Sequence, residues 1–230
     1  MNAFKQAMSL VFSLDKELWH IIGVTLRMSL SSTAISCIIG IPLGVFLGSS
    51  RRFRGKALLM RILHTLMGLP PVVAGLLVFL LLSHSGPLGS LKLLFSVEAM
   101  VIAQCVLIIP IVIGLCASVI GINAPRLLET ANGLRLPRTS KTKLLLIENK
   151  VPLVSVVLTG FGRAISEVGA VSLVGGNIQF KTRVMTTAIM LETNKGNFEF
   201  AIALGFLLIM IAFIINFAAS FLKGNSYDYY

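Results

Sequence analysis

The sequence predicts an all-α integral membrane protein with five spanning helices and a sixth left open. Three observations carry this. Of 230 residues, 56% are hydrophobic and only 13% charged, against about 25% charged in a soluble domain. Mean hydropathy is +0.91. The apolar residues fall in runs of roughly 20, the length that crosses a bilayer, and short stretches rich in Lys, Arg, Gly and Pro separate them.

The net charge of +11 would raise nucleic acid as a partner for a soluble chain. Here Lys and Arg gathered in cytoplasmic loops explain it, and no nucleic-acid partner is expected. Cys37, Cys105 and Cys116 lie inside apolar runs without CxxC spacing or clustered His. Packing is their expected role, and no metal site is expected.

Residues 1–18 form a moderately amphipathic segment suited to the membrane surface, with Trp19 as an interfacial anchor. Residues 19–223 are the membrane domain, and 224–230 a polar tail. The first span, 19–48, is longer than the bilayer needs and carries Arg27 within snorkelling reach of the interface. Gly40, Gly44 and Gly48 share one face, which allows close helix approach within the chain or to a second copy. Pro42 predicts a kink at this end. The sequence RRFRGK at 51–56 marks a cytoplasmic loop.

The second span, 57–83, is interrupted by Leu69-Pro70-Pro71. Two prolines remove two donors and break the helix. Such backbone is tolerated at membrane depth where protein buries it or where it lines a cavity, so a solute path and a packing kink both remain open. Residues 83–98 form an outer loop, with a short helix expected at 88–94. The third span, 99–120, carries Pro110 as a kink and returns the chain to the cytoplasm.

Residues 122–151 form a cytoplasmic stretch in which Arg126, Arg135, Arg138, Lys141, Lys143 and Lys150 outnumber Glu129 and Glu148. Leu127, Leu128, Ala131 and Leu134 fall at helical spacing, predicting a short amphipathic helix over 126–136 that Pro137 ends. It either docks on a cytoplasmic subunit or lies solvated beside anionic lipid. The fourth span is 153–174 and the fifth 198–222. The polar segment between them, 175–197, has a short helix expected at 184–191, dipping into the outer interface.

Arg163 and Glu167, four apart, share a face of the fourth span. Charges inside a span face protein or water and usually pair. They form either a structural ion pair or the gate of an anion path. Ser166, Thr159 and Asn177 could donate hydrogen bonds to a dianion. Lys181 and Arg183 could attract anions or hold the partner that delivers them. No GxxxxGK[ST] phosphate loop, GxSxG or HExxH is present. ATP binding by that route and catalysis are therefore not expected. A membrane-embedded enzyme would need a catalytic set, and a secondary transporter an ion-coupling site.

Glu129-Thr130-Ala131 resembles the start of the EAA coupling motif of ABC-importer permeases, so Leu128, Glu129, Thr130, Ala131, Gly133 and Arg135 are candidate ATPase-coupling residues. The motif glycine falls six residues after the glutamate, where this chain has Arg135, with Gly133 out of register. The segment GFGRAISEVGA at 160–170, followed by GGNI at 175–178, resembles the molybdate and tungstate branch of these permeases. Residues 69–75, LPPVVAG, and Thr182-Arg183 with Thr186-Thr187-Ala188 resemble the same branch.

The resemblance implies a molybdate-permease-like fold and an importer permease moving an oxyanion by alternating access. Tungstate is first choice, with molybdate and then sulfate as alternatives. Pro70, Pro71, Arg163, Ser166, Glu167 and Asn177 are the candidate path or gate. It also implies a homodimer, two cytoplasmic ATPase subunits that bind ATP and Mg, and an extracytoplasmic oxyanion-binding protein. The setting implied is a bacterial or archaeal plasma (inner) membrane.

Overall fold

A computed structural model describes residues 16–50 and 54–221. The expected surface segment up to residue 15, the cations Arg51 and Arg52, and the tail from residue 222 lie outside the described residues. The described chain is helical from end to end: α1 (Lys16–Ser49), α2 (Lys56–Met67), α3 (Pro71–Leu82), α4 (Val97–Gly133), α5 (Arg138–Glu148), α6 (Lys150–Ile165), α7 (Gly169–Gly175), α8 (Met185–Asn194) and α9 (Phe198–Phe221).

Three of these helices, α1, α4 and α9, are long and apolar enough to cross a membrane singly. The count reaches five if each of two bent pairs is one span: α2 with α3 at 97°, and α5 with α6 at 73°. The helix expected at 184–191 is α8. Its 10 residues reach only about 15 Å at 1.5 Å per residue, too short to span.

The central helix is α4. Its apolar residues meet α1, α3, α6 and α7 in separate buried clusters. Ala99, Ala103 and Leu107 pack with Ala74 and Val78 of α3 and with Ala170 and Val174 of α7. Ile108 and Val112 pack with Val156 and Ala164 of α6. The tightest seam joins α4 to α1. A Cβ on Gly40 would lie 2.7 Å from Val112 Cγ1, one on Gly44 2.5 Å from Cys116 Cβ, and one on Gly48 2.7 Å from the Ala117 carbonyl. The glycine face is therefore used within the chain, where it brings two long helices into backbone contact.

Several expected boundaries are corrected. The third span does not end at 120. The helix α4 runs unbroken through Pro110 and Pro125 to Gly133, so the helix expected at 126–136 is the end of a span and not a separate element. The loop expected after Pro137 is α5, which starts where Pro137 presets an extended entry. The expected helix at 88–94 shrinks to a 3-10 turn, Gly89–Leu91. The fourth span does not run to 174 as one helix: α6 stops at Ile165 and α7 restarts at Gly169. Pro42 lies inside α1 without ending it.

Candidate functional site

Two helix breaks meet in the structure. The first is Gly68 to Pro70, where Pro70 adopts φ −60° and ψ 128° and Pro71 opens α3. The second is Ser166 to Val168, between α6 and α7. A Cβ on Gly75 of α3 would lie 2.6 Å from the Cα of Ala170, and one on Gly169 would lie 3.0 Å from Val72 Cγ2. The helices that leave the two breaks thus run against each other at backbone distance. Only small residues at 75, 169 and 170 allow it.

The polar groups of the second break are individually satisfied. Glu167 is 3% exposed, and its Oε2 lies 3.2 Å from Nη2 of Arg163. Its Oε1 accepts a hydrogen bond from the Ala170 amide at 3.1 Å, a carboxylate at a helix start. Its main-chain carbonyl accepts from the Thr186 hydroxyl of α8 at 2.9 Å. The carbonyl of Ala164, in the last turn of α6, accepts from Nε2 of Gln104 at 2.8 Å. Arg163 and Glu167 do form an ion pair, and it holds the turn together. The guanidinium side chain is still 34% exposed, and Ser166 beside it is exposed.

The expected hydroxyl donors are committed elsewhere. Ser166 donates to the Gly162 carbonyl at 2.8 Å and Thr159 to the Ser155 carbonyl at 2.9 Å. Asn177 does not join the break. It sits past the far end of α7 in the left-handed region, φ 50°, directly after Gly176 at φ 71°, and its Oδ1 is buried without a hydrogen-bond partner. Pro70 is exposed and Pro71 half-buried.

Beyond α7, Arg183 is paired rather than free, with Nη1 2.7 Å from Glu17 Oε1, which ties the 175–197 segment to the first turn of α1. Lys195 hydrogen-bonds Glu192 at 2.8 Å and holds that carboxyl below its ordinary value. Lys181 is exposed.

The coupling candidates occupy the last turns of α4. Ala131 is fully buried and Glu129 exposed. Glu129 and Leu128 line a cleft of about 400 Å³ with Gly48, Ser49, Ala124 and Asn132. Thr130 is exposed and faces a second hollow. The helix ends in a Schellman motif: the Leu136 amide donates to the Ala131 carbonyl at 3.0 Å and the Arg135 amide to the Asn132 carbonyl at 2.9 Å. The residue at the left-handed position of that motif is Arg135, φ 52°. Glycine is usual there because it has no Cβ to clash. The backbone requirement that a motif glycine serves is thus retained, and Arg135 meets it under strain. Gly133 is the last residue of α4 and has no positive φ, so it does not substitute for it. Lys141 of α5 donates to Asn132 at 2.6 Å, and Asn123 donates to the buried Asn149 at 2.8 Å. These bonds fix α5 and α6 to the end of α4.

Gln104, Thr186 and Thr25 were not expected from the sequence. Thr25 of α1 accepts from the Met185 amide at 3.0 Å and so caps α8 from another helix. One signal was available: Gln104 is the lone amide in the apolar run 99–120, and a polar residue at that depth has to find a partner.

The described residues thus form a helical membrane domain with two broken spans packed together and a capped amphipathic end on its central helix. The chain belongs to the family of binding-protein-dependent transport system inner membrane components, whose profile matches residues 40–224. It is therefore an ABC importer permease of the inner membrane, and the family implies ATPase and binding-protein partners.

Among its relatives is the tungstate uptake system permease protein TupB of Peptoclostridium acidaminophilum, 42% identical over 94% of both chains. TupB of Campylobacter jejuni is 39% identical over 96% of this chain and 92% of its own length. A probable anion ABC transporter permease of Haloferax volcanii is 39% identical over 88% and 90%. A chain of the MetNI methionine ABC transporter in inward-facing conformations matches the fold with TM-score 0.70 at 16% identity, covering 94% of this chain and 96% of that one.

Proposed function

We propose that this chain forms the membrane path of an ATP-driven importer for a tetrahedral oxyanion, tungstate first, with molybdate and then sulfate as alternatives. The supporting observation is the 42% identity to a tungstate uptake permease along 94% of both chains. Two copies would enclose the path between them, with the paired breaks at Pro70-Pro71 and Arg163 to Glu167 as its gate. Arg163 is the cation available to an oxyanion, and Glu167 holds it in place while lowering the local net charge. That balance suits passage, because a site that binds a dianion too strongly does not release it.

The exposed turn carrying Leu128, Glu129, Thr130 and Arg135 would dock on a cytoplasmic ATPase subunit, where ATP and Mg bind. ATP would close the ATPase pair, shift the end of α4 and open the path outward, and hydrolysis would reset it. Because α4 is one helix from Val97 to Gly133, a movement at Glu129 reaches the level of Gln104 without crossing a joint. A binding protein on the outer side would deliver the anion.

The test is reconstitution of the permease with its ATPase and binding protein in liposomes. ATP-dependent uptake should saturate at the lowest concentration with tungstate. Half-saturation lower for molybdate or sulfate would reassign the substrate. Anion uptake without ATP would overturn the importer reading in favour of a secondary transporter.

A further inference from the structure

Gln104 is 1% exposed about two turns into the apolar helix α4, which starts at Val97. It makes two hydrogen bonds to different elements. Its Oε1 accepts from the Ser32 hydroxyl of α1, and its Nε2 donates to the Ala164 carbonyl in the last turn of α6 at 2.8 Å. The Ala164 carbonyl can only accept, so the NH₂ group faces it and Oε1 is left for the Ser32 hydroxyl, which also lies 3.1 Å from the Ser29 carbonyl. The last four carbonyls of a helix have no partner within it, and at membrane depth they have to be taken up by other groups; the Ala164 carbonyl also accepts a long bond from the Glu167 amide at 3.4 Å, and Gln104 supplies the short one. Arg163 immediately precedes Ala164, and Ser166 follows two residues later, so whatever fixes the Ala164 carbonyl fixes both.

We propose that Gln104, locked by Ser32, is a positioning residue for the break in the fourth span, holding Arg163 and Ser166 where they face the path. Thr186 steadies the other side of the break through the Glu167 carbonyl, whereas Gln104 hydrogen-bonds both α1 and α6 from α4. A leucine at 104 fills the space without donating. A methionine there, of similar length, cannot donate to Ala164 either. The proposal rests on the gate reading above for its consequence in transport, but not for its geometry.

The experiment uses the reconstituted importer carrying Ser166→Cys as a reporter. Modification of that thiol by a membrane-impermeant thiosulfonate is followed by mass spectrometry of its own peptide, so the three native cysteines do not interfere. Gln104→Leu and Gln104→Met should change the modification rate at least threefold. Ser32→Ala should change it in the same direction by less, and Ser32→Thr, which keeps the hydroxyl, should restore it. Ser32→Ala removes one oxygen atom and keeps the test usable if the Gln104 variants do not assemble. An unchanged rate in Gln104→Leu, or in Ser32→Ala where the Gln104 variants fail, overturns the proposal. With the rate changed, the ATP hydrolysed per anion imported should rise severalfold. A changed rate with an unchanged ratio supports the positioning role and overturns the gate reading instead.

Discussion

Arg163 and Glu167 form an ion pair at 3.2 Å in which only the acid is buried, 3% exposed against 34% for the base. The two partners are therefore not equivalent. Arg163→Ala strands a buried carboxylate, and breaking a buried pair in that way costs about 3 kcal/mol or more. Glu167→Gln keeps an acceptor for the Ala170 amide and leaves an arginine that can reach water, at about 1 kcal/mol. Thermal unfolding of the purified complex should rank Arg163→Ala well below Glu167→Gln. The reverse order would mean that the carboxylate is not the group held by the fold.

Arg135 occupies the left-handed position of the Schellman motif that ends α4. A non-glycine residue in that conformation costs about 1 kcal/mol or more. Arg135→Gly should raise the melting temperature. Arg135→Val should lower it, because a β-branched side chain is a worse fit to φ > 0. A lower melting temperature for the glycine variant than for the parent would show that the arginine side chain stabilises more than its backbone strain costs.

Gly44 and Gly23 lie on the same helix in opposite circumstances. A Cβ on Gly44 would sit 2.5 Å from Cys116 Cβ, while one on Gly23 meets nothing within 4 Å. Gly44→Ala should destabilise by about 1–3 kcal/mol through overpacking. Gly23→Ala should be neutral or stabilising by up to about 1 kcal/mol. Melting curves of the two variants side by side check this, and equal losses would contradict the packing of α1 on α4.

Glu129 is exposed in the last turns of α4. Glu129→Ala should leave the melting temperature of the permease within about 0.5 kcal/mol of the parent's stability, as surface changes do. It should reduce substrate-stimulated ATP hydrolysis and uptake together. Undiminished stimulation and uptake would remove Glu129 from the coupling surface.

Much of the fold was legible in the sequence because hydropathy is a local property. The apolar runs marked α1, α4 and α9, and two prolines in succession marked the break before α3. The Arg163–Glu167 pair was legible because its spacing is that of one helical turn. Other features were not. The third span reads as ending at 120, yet α4 continues through Pro125 to Gly133, with Ile120 and Ala124 packed against Val45 and Leu145. The break at 166–168 has no proline and no charge run. What makes it possible is Gln104, Thr186 and Glu167 satisfying its backbone, and two of those lie 60 and 20 residues or so away in the chain.

By itself the sequence determined that the chain is a membrane protein, where its main spans lie, and which family its motifs resemble. Those follow from transfer free energy and from residue identities at fixed spacing. Only the tertiary structure decided that the glycine face of α1 serves α4 and not a second copy. It also decided that the two broken spans lie together, and that Arg135 fills the conformation of a glycine. Each of these depends on which backbone atoms approach one another from distant parts of the chain. A sequence pattern specifies that a face is small or polar, but not what will be pressed against it.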